Sequence, residues 1–319
     1  MRSDSFYTVI LSYGTPLSCL SVPIVNSASV VCTKGEVLRL NESVVADVAE
    51  LGPLLCVVGS RDDCEDRQVP FVSRRCATQI TVFEHAKGAP RIVCAITKGL
   101  GTYDRGLVLD DLYLEDGRVE DARHDPVGGS LTEKALREYD TLTKCLSYGV
   151  LVETPLCVLD LGLSTSEGFP ISLLIKGGRT NMRLDMLTRL GDSDRKLLDR
   201  TGITAQSVSS TVVRSLGSCH RDVGICHGSP YEDNISILGE LCDFEYAEPF
   251  TKDGAWRDLW YAVWALVEIF GPEALDVAAL VREYAGDDVA QMLSSEIIKL
   301  TSADECKELA SALIEAIFG

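Results

Sequence analysis

Asn234 and Asp243 stand nine positions apart, separated by an apolar run of Ile235, Ile237, Leu238 and Leu241 that Gly239 interrupts. An amide oxygen and a carboxylate are hard donors of the kind divalent cations take. The spacing predicts a short β-hairpin that presents both side chains on one side of a cleft. The bland alternative is an Asx-rich turn between two strands.

Phosphotransfer enzymes of the kinase type hold Mg²⁺ with such a pair, a loop Asn and the Asp of an Asp-Phe-Gly-type motif. Here that motif reads Asp243-Phe244-Glu245. Lys98 ends the apolar run Ile92-Val-Cys-Ala-Ile-Thr-Lys98 and precedes Gly99-Leu-Gly101. A lysine at the end of a strand can reach ATP phosphates as a point charge, and a helical glutamate can orient it. Glu138 stands in the next long helical stretch. Taken singly, Lys98 also reads as an edge-strand surface lysine, and Glu138 as one helical glutamate among many. Lys176, Arg179 and Arg183 place three cations within eight residues of an acidic chain, beside Gly177 and Gly178. That cluster suits a phosphate tail, and a solvated turn is the other reading.

These residues need strands and helices to hold them. Residues 7–13, 24–31 and 54–58 read as short strands, with a helix over 43–50 and a charged loop over 59–69. Residues 78–84 and 91–97 flank a hairpin connection at 85–90. Residues 99–129 read as a long loop with one short strand pair. Ser130-Leu-Thr-Glu133 resembles a capping box that opens a helix to about residue 148. Strands follow over 152–161 and 169–176. From there the pattern is helical, over 182–190, 192–200, 205–216, 256–270, 273–284, 287–300 and 303–317. The run 256–270 is apolar nearly all round and predicts a buried helix. Strands first and helices second predict an α+β chain with a β-rich lobe and an α-helical lobe. The expected division is a β-rich extension over 1–70, an N-lobe over 71–178 and a helical C-lobe over 179–319.

The 319 residues, 46% of them hydrophobic, suffice for a sizeable core. A net charge of −18 argues against a nucleic-acid partner. No apolar run reaches the roughly 18 residues of a membrane helix, and the first residues lack a signal-peptide core. The 12 cysteines show no Cys-x-x-Cys spacing and read as buried thiols of a reducing cytoplasm.

Over roughly residues 70–270 the chain resembles the selenoprotein O family, the kinase-fold protein adenylyltransferases. The match is most specific at His227-Gly-Ser-Pro-Tyr-Glu-Asp233-Asn-Ile-Ser-Ile-Leu-Gly239, followed by Asp243 at the family's offset. Lys98-Gly-Leu-Gly101, Arg137-Glu138-Tyr139 and the seven-residue interval from Lys176 to Arg183 fall in the family's order. The resemblance implies a bilobal kinase-like fold that binds ATP with Mg²⁺ or Mn²⁺. It implies transfer of AMP to a Ser, Thr or Tyr hydroxyl of an acceptor, with release of pyrophosphate. Carried over, Asn234 and Asp243 are metal ligands, and Lys98 and Arg183 grip phosphates. Glu138 orients Lys98, and Asp233 is the candidate base.

The chain is a divergent and short relative of that family. Ser229 stands two residues after His227, where kinase loops put an aspartate, which disfavours ordinary kinase chemistry. Forty residues separate Lys98 from Glu138, and 106–128 reads as an insertion. Lys176 replaces an arginine and loses its bidentate fork. The alternatives are a phosphotransferase on the same fold and a non-catalytic pseudokinase interaction module. Cys219-His220 and Cys226-His227 raise zinc, against which His227 reads as a loop brace and Cys226 as a buried strand residue. Gly99, Gly101 and Gly106 lack the spacing of a dinucleotide fingerprint. Trp256, Trp260 and Trp264 mark one helix face and read as core.

Overall fold

The computed structural model describes residues 6–10, 16–23, 36–45, 76–83, 92–98, 113–115, 118–120, 130–165, 168–180, 182–189, 203–293 and 300–319. Gly99, Gly101, most of the 106–128 insertion, the charged loop 59–69, the connection 85–90, and the expected strands 24–31 and 54–58 and helix 192–200 lie outside them.

Twelve strands and six α-helices are described. The strands begin with β1 (Phe6–Ile10), β2 (Pro16–Pro23), β3 (Val37–Leu40), β4 (Cys76–Phe83) and β5 (Ile92–Lys98). The short β6 (Tyr113–Glu115), β7 (Arg118–Glu120) and β8 (Ser130–Leu131) follow, and then helix α1 (Thr132–Ser147). The long β9 (Thr154–Thr165) and β10 (Pro170–Gly178) close the β-rich part. Beyond it come α2 (Ala205–Ser218), β11 (Ile225–Cys226), β12 (Glu248–Pro249), α3 (Lys252–Phe270), α4 (Val277–Ala285), α5 (Asp287–Leu293) and α6 (Ala303–Phe318). The α+β order of strands and then helices is the expected one. Residues 42–44 form a turn where a helix over 43–50 is expected. Leu184–Arg189 is a 3₁₀ turn, not the expected α-helix.

The chain forms two compact units. The first holds Met1–Asp140 and Thr154–Asn181, and the second holds Thr141–Glu153 and Met182–Gly319. Helix α1 therefore contributes its first nine residues to one unit and its last seven to the other.

In the first unit an eight-stranded sheet runs β4-β5-β10-β9-β7-β6, with β3 on β9 and β8 on β10. Lys98 lies opposite Leu174, and Lys176 opposite Ile96, so all four share one face. The β9–β10 register shifts between Ile175 and Lys176, with Pro155 opposite Lys176. A bulge at such a point re-aims a side chain, and proline is tolerated beside it. Ala135 and Tyr139 of α1 pack with Val158 and Leu174 as this unit's described core. Glu138 lies on that same buried stripe of the helix.

In the second unit a larger core gathers Leu142 and Cys145 with the inner faces of α2, α3, α4 and α6. Helix α3 is capped by Thr251, whose hydroxyl accepts from Gly254 N at 3.0 Å. Its buried positions are apolar except Asp258. No helix among the described residues is long and apolar enough to cross a membrane.

Candidate functional site

The first unit builds an ion cluster on Glu138. Glu138 Oε2 accepts from Lys98 Nζ at 2.9 Å, and its Oε1 accepts from Lys176 Nζ at 2.7 Å. All three side chains are buried. A buried charge persists only when paired and hydrogen-bonded, and one carboxylate here serves two ammonium groups. The register explains the meeting: Lys98 and Lys176 leave neighbouring strands on one face, and the apolar stripe of α1 lays Glu138 over them. Gly177 has no room for a Cβ, which would stand 2.6 Å from the Ile92 side chain, so β10 needs a glycine directly after Lys176. Arg179, half-buried, follows the end of β10.

The second unit positions Asn234 and Asp243. Asn234 ends a 3₁₀ turn, Glu232–Asn234, and its carbonyl accepts from Cys242 N at 2.9 Å. Ile235 bridges Leu241 in antiparallel fashion, and Gly239 N donates to Ser236 O. The reversal is thus a tight hairpin that holds the residues on either side of it together. Asn234 Nδ2 donates to Ser229 O at 2.9 Å and to Ser229 Oγ at 3.3 Å. Asp243 has φ 62° and ψ 69° and is the one described non-glycine residue at positive φ. Phe244 follows it into the core and packs on the His227 ring, with centroids 4.4 Å apart.

Arg183 is woven into the same hairpin. It bridges Ser236, while Leu184 N donates to Ile235 O and Ile237 N to Met182 O. Its guanidinium Nη2 meets Glu153 Oε1 at 2.6 Å, both side chains buried. Val152, just before Glu153, bridges Leu241. Asp233 is exposed at its surface, yet surrounding protein still desolvates its carboxyl and pushes its pKa up. The negative charges of Glu232 and Asp243 push the same way, and Arg183 pulls against them.

His227 is fully buried and its Nε2 lies 2.9 Å from Cys242 O. The His227 and Gly228 amides donate to one carboxylate, Asp258 Oδ2 at 2.5 Å and Oδ1 at 2.9 Å. Gly228 has φ 93°, and a Cβ there would stand 2.5 Å from Tyr246 O. Asp258 and Glu153 have no place among the residues expected from sequence. Asp258 had a legible signal, since it is the one carboxylate on the buried face of an apolar helix. Glu153 had none.

His220, Cys226 and Asp258 bring a nitrogen, a sulfur and an oxygen within 4.8 Å of one another. Each of the three is hydrogen-bonded within the protein. His220 Nε2 is engaged with Asp258 Oδ2 at 3.2 Å, and Cys226 Sγ lies 3.6 Å from Thr251 O. Burial pushes the Cys226 thiol up to about 11.

No protein-family model matches the chain, and no curated protein matches it in sequence. Among solved structures it is similar to WaaP in complex with acyl carrier protein, at 15% identity and a TM-score of 0.37 over 74% of this chain and 89% of that one. It is similar to a Toxoplasma gondii specific rhoptry antigen kinase domain, at 13% identity and a TM-score of 0.30 over 70% and 84%. A third is ROP2 from Toxoplasma gondii, a virulence factor with a protein-kinase fold and no enzymatic activity, at 11% identity and a TM-score of 0.35 over 79% and 75%. The α+β class of the chain stands on its own order of strands and helices.

Proposed function

We propose that the chain is an ATP- and divalent-cation-dependent nucleotidyltransferase of the selenoprotein O type, moving AMP onto a Ser, Thr or Tyr hydroxyl of a protein acceptor. The reading is carried by the locked pair Asn234 and Asp243. A hairpin hydrogen bond fixes their separation, and Asp243 is held in the left-handed region, where a non-glycine residue is disfavoured. Strain of this kind persists where surrounding structure enforces it, and it clusters at working side chains.

The donors fit Mg²⁺ or Mn²⁺. Ser229 holds the Asn234 amide nitrogen, which leaves the amide oxygen as the atom to present, and Asp243 adds a carboxylate. A cation bound there offsets phosphate charge. The chain's own residues do the rest. Glu138 orients Lys98, and Lys98 and Lys176 offer ammonium groups to the phosphates, with Gly99 and Gly101 next to Lys98 in sequence. Arg183, steered by Glu153, and Arg179 add guanidinium charge as pyrophosphate develops. Ionised Asp233 takes the proton of the attacking hydroxyl. The acceptor oxygen bonds to the α-phosphorus, and the bond from that phosphorus to the oxygen bridging to the β-phosphate breaks. Pyrophosphate leaves with the electron pair.

Ser229 favours AMP transfer over phosphoryl transfer. It sits two residues after His227, and its oxygens accept from Asn234, so this position supplies no carboxylate base. The carboxylate next to Asn234 is Asp233 instead. Incubation with α-³²P-ATP and γ-³²P-ATP in parallel, with Mg²⁺ or Mn²⁺, tests the proposal. Label from the α position alone, lost in Asp243→Ala, is the expected result. Label from the γ position alone makes the chain a phosphotransferase and overturns it. Binding of ATP without label from either position, with acceptor-rich extract present, makes it a pseudokinase.

A further inference from the structure

We infer that Tyr284 and His220 are positioning residues for the 227–234 loop, acting through Asp258. The inference deepens the proposed function and rests on it only for what the loop does, not for how it is held.

The geometry begins at a local irregularity. Helix α2 does not end in a plain cap but runs on into a π turn, Cys219–Val223. Single π turns recur at functional sites because they redirect a side chain that the α-helical repeat would leave elsewhere. Here the turn buries the His220 ring between two partners. Its Nδ1 lies 2.6 Å from Tyr284 Oη, and its Nε2 lies 3.2 Å from Asp258 Oδ2. The next residue, Arg221, donates to the Tyr284 carbonyl. Gly217 leaves no room for a Cβ, which would stand 2.8 Å from that carbonyl oxygen. The end of α2 is therefore pressed onto Tyr284 by side chain and backbone alike.

The direction of the hydrogen bonds follows from the donors. Asp258 already accepts from the His227 and Gly228 amides, and its carboxylate accepts a third hydrogen bond from His220 Nε2–H. With Nε2 as the donor, Nδ1 accepts from the Tyr284 hydroxyl. Burial holds the Tyr284 phenol in its O–H form, as that assignment requires. Tyr284, His220, Asp258 and His227 are all buried. Successive hydrogen bonds in such surroundings polarise one another.

Replacing a buried ion pair by apolar side chains of like volume is often neutral or stabilising, so such a network is weak evidence of a stabilising role. What the chain of bonds delivers is the direction of two backbone N–H groups at the start of the loop that carries Ser229, Asp233 and Asn234. Its far end is α4, the helix that holds Tyr284.

The test is hydrogen exchange at the His227 and Gly228 amides. Tyr284→Phe removes one hydroxyl and keeps the ring. It should speed exchange at those two amides about two- to tenfold, the worth of one neutral hydrogen bond. A packing variant in the same unit, Leu309→Ala, serves as the control at a temperature where both variants are equally far below their melting points. Equal acceleration in the two variants makes Tyr284 merely structural and overturns the inference. His220→Gln, which can still donate to Asp258, should protect the two amides better than His220→Leu. Equal exchange in that pair overturns it as well, and decides the matter if Tyr284→Phe does not fold. Mn²⁺ titration of the wild type separates the two readings. A wild type that binds no Mn²⁺ sinks the metal assignment, while the amide exchange still decides the positioning role.

Discussion

At the scale of single residues, Asp243 combines a backbone cost with a chemical use. A non-glycine residue in the left-handed region costs on the order of 1 kcal/mol, somewhat less for Asp than for most residues. Glycine adopts that region freely. Asp243→Gly should therefore relieve that backbone cost while abolishing Mn²⁺ binding and turnover. A variant that loses stability along with activity would show that the carboxylate holds the fold and not a cation. Asp233 gives a second prediction. Burial first, and then Glu232 and Asp243, push its carboxyl up from 3.8. A base must be ionised, so activity should rise with pH through a limb above the ordinary aspartate value. Glu232→Gln removes a like charge and should move that limb to lower pH, and Asp233→Asn should remove it. A pH–rate profile unchanged in Glu232→Gln would detach Asp233 from the chemistry.

At the scale of elements, the cluster on Glu138 joins one helix to two strands, and its members are not equivalent. Glu138→Ala leaves two buried ammonium groups without their shared carboxylate. Removing one partner of a buried pair costs roughly 3–5 kcal/mol. Lys98→Met leaves Glu138 still paired with Lys176 and should cost clearly less. Denaturant midpoints of the two variants check the order, and a Lys98→Met loss equal to that of Glu138→Ala would sink it. This triad was half legible in sequence. Lys98 and Glu138 could be read as a strand–helix pair, whereas Lys176 read as a phosphate cation. Its seat on Glu138 depends on register and on the bulge between Ile175 and Lys176, which no local pattern encodes. The same contrast runs through the elements. The all-apolar run 256–270 announced α3, because burial on every side is a compositional signal. The expected helix over 182–190 is a 3₁₀ turn because Met182, Leu184 and Arg183 are drawn into pairing with the 235–237 segment, a tertiary demand that overrides local propensity. The hairpin between Asn234 and Asp243 was legible from its spacing and Gly239. Asp258, which holds the loop before it, acts across 30 residues from Gly228 and could only be suspected.

At the scale of the whole molecule, the groups expected to act on a nucleotide are divided in sequence, Lys98 and Glu138 in the first compact unit and Asn234 and Asp243 in the second. A chain of net charge −18 repels an anionic nucleotide on average, so binding must depend on these few local charges and on a cation. Binding to the native state alone raises stability by about 2.7 kcal/mol at a ligand concentration of 100 Kd. For domains of roughly 150–250 residues each kcal/mol moves the melting temperature by about 2–4 °C, so ATP with Mg²⁺ should raise it by roughly 5–10 °C. ATP with a chelator should raise it less. Lys98→Met and Asp243→Ala, one change in each unit, should each reduce the shift, because each removes charge that the nucleotide or its cation requires. A shift that survives Asp243→Ala in full but vanishes in Lys98→Met would describe a nucleotide held by the first unit alone. The locked pair Asn234 and Asp243 would then be architecture without a cation, and the transferase reading would fall with it.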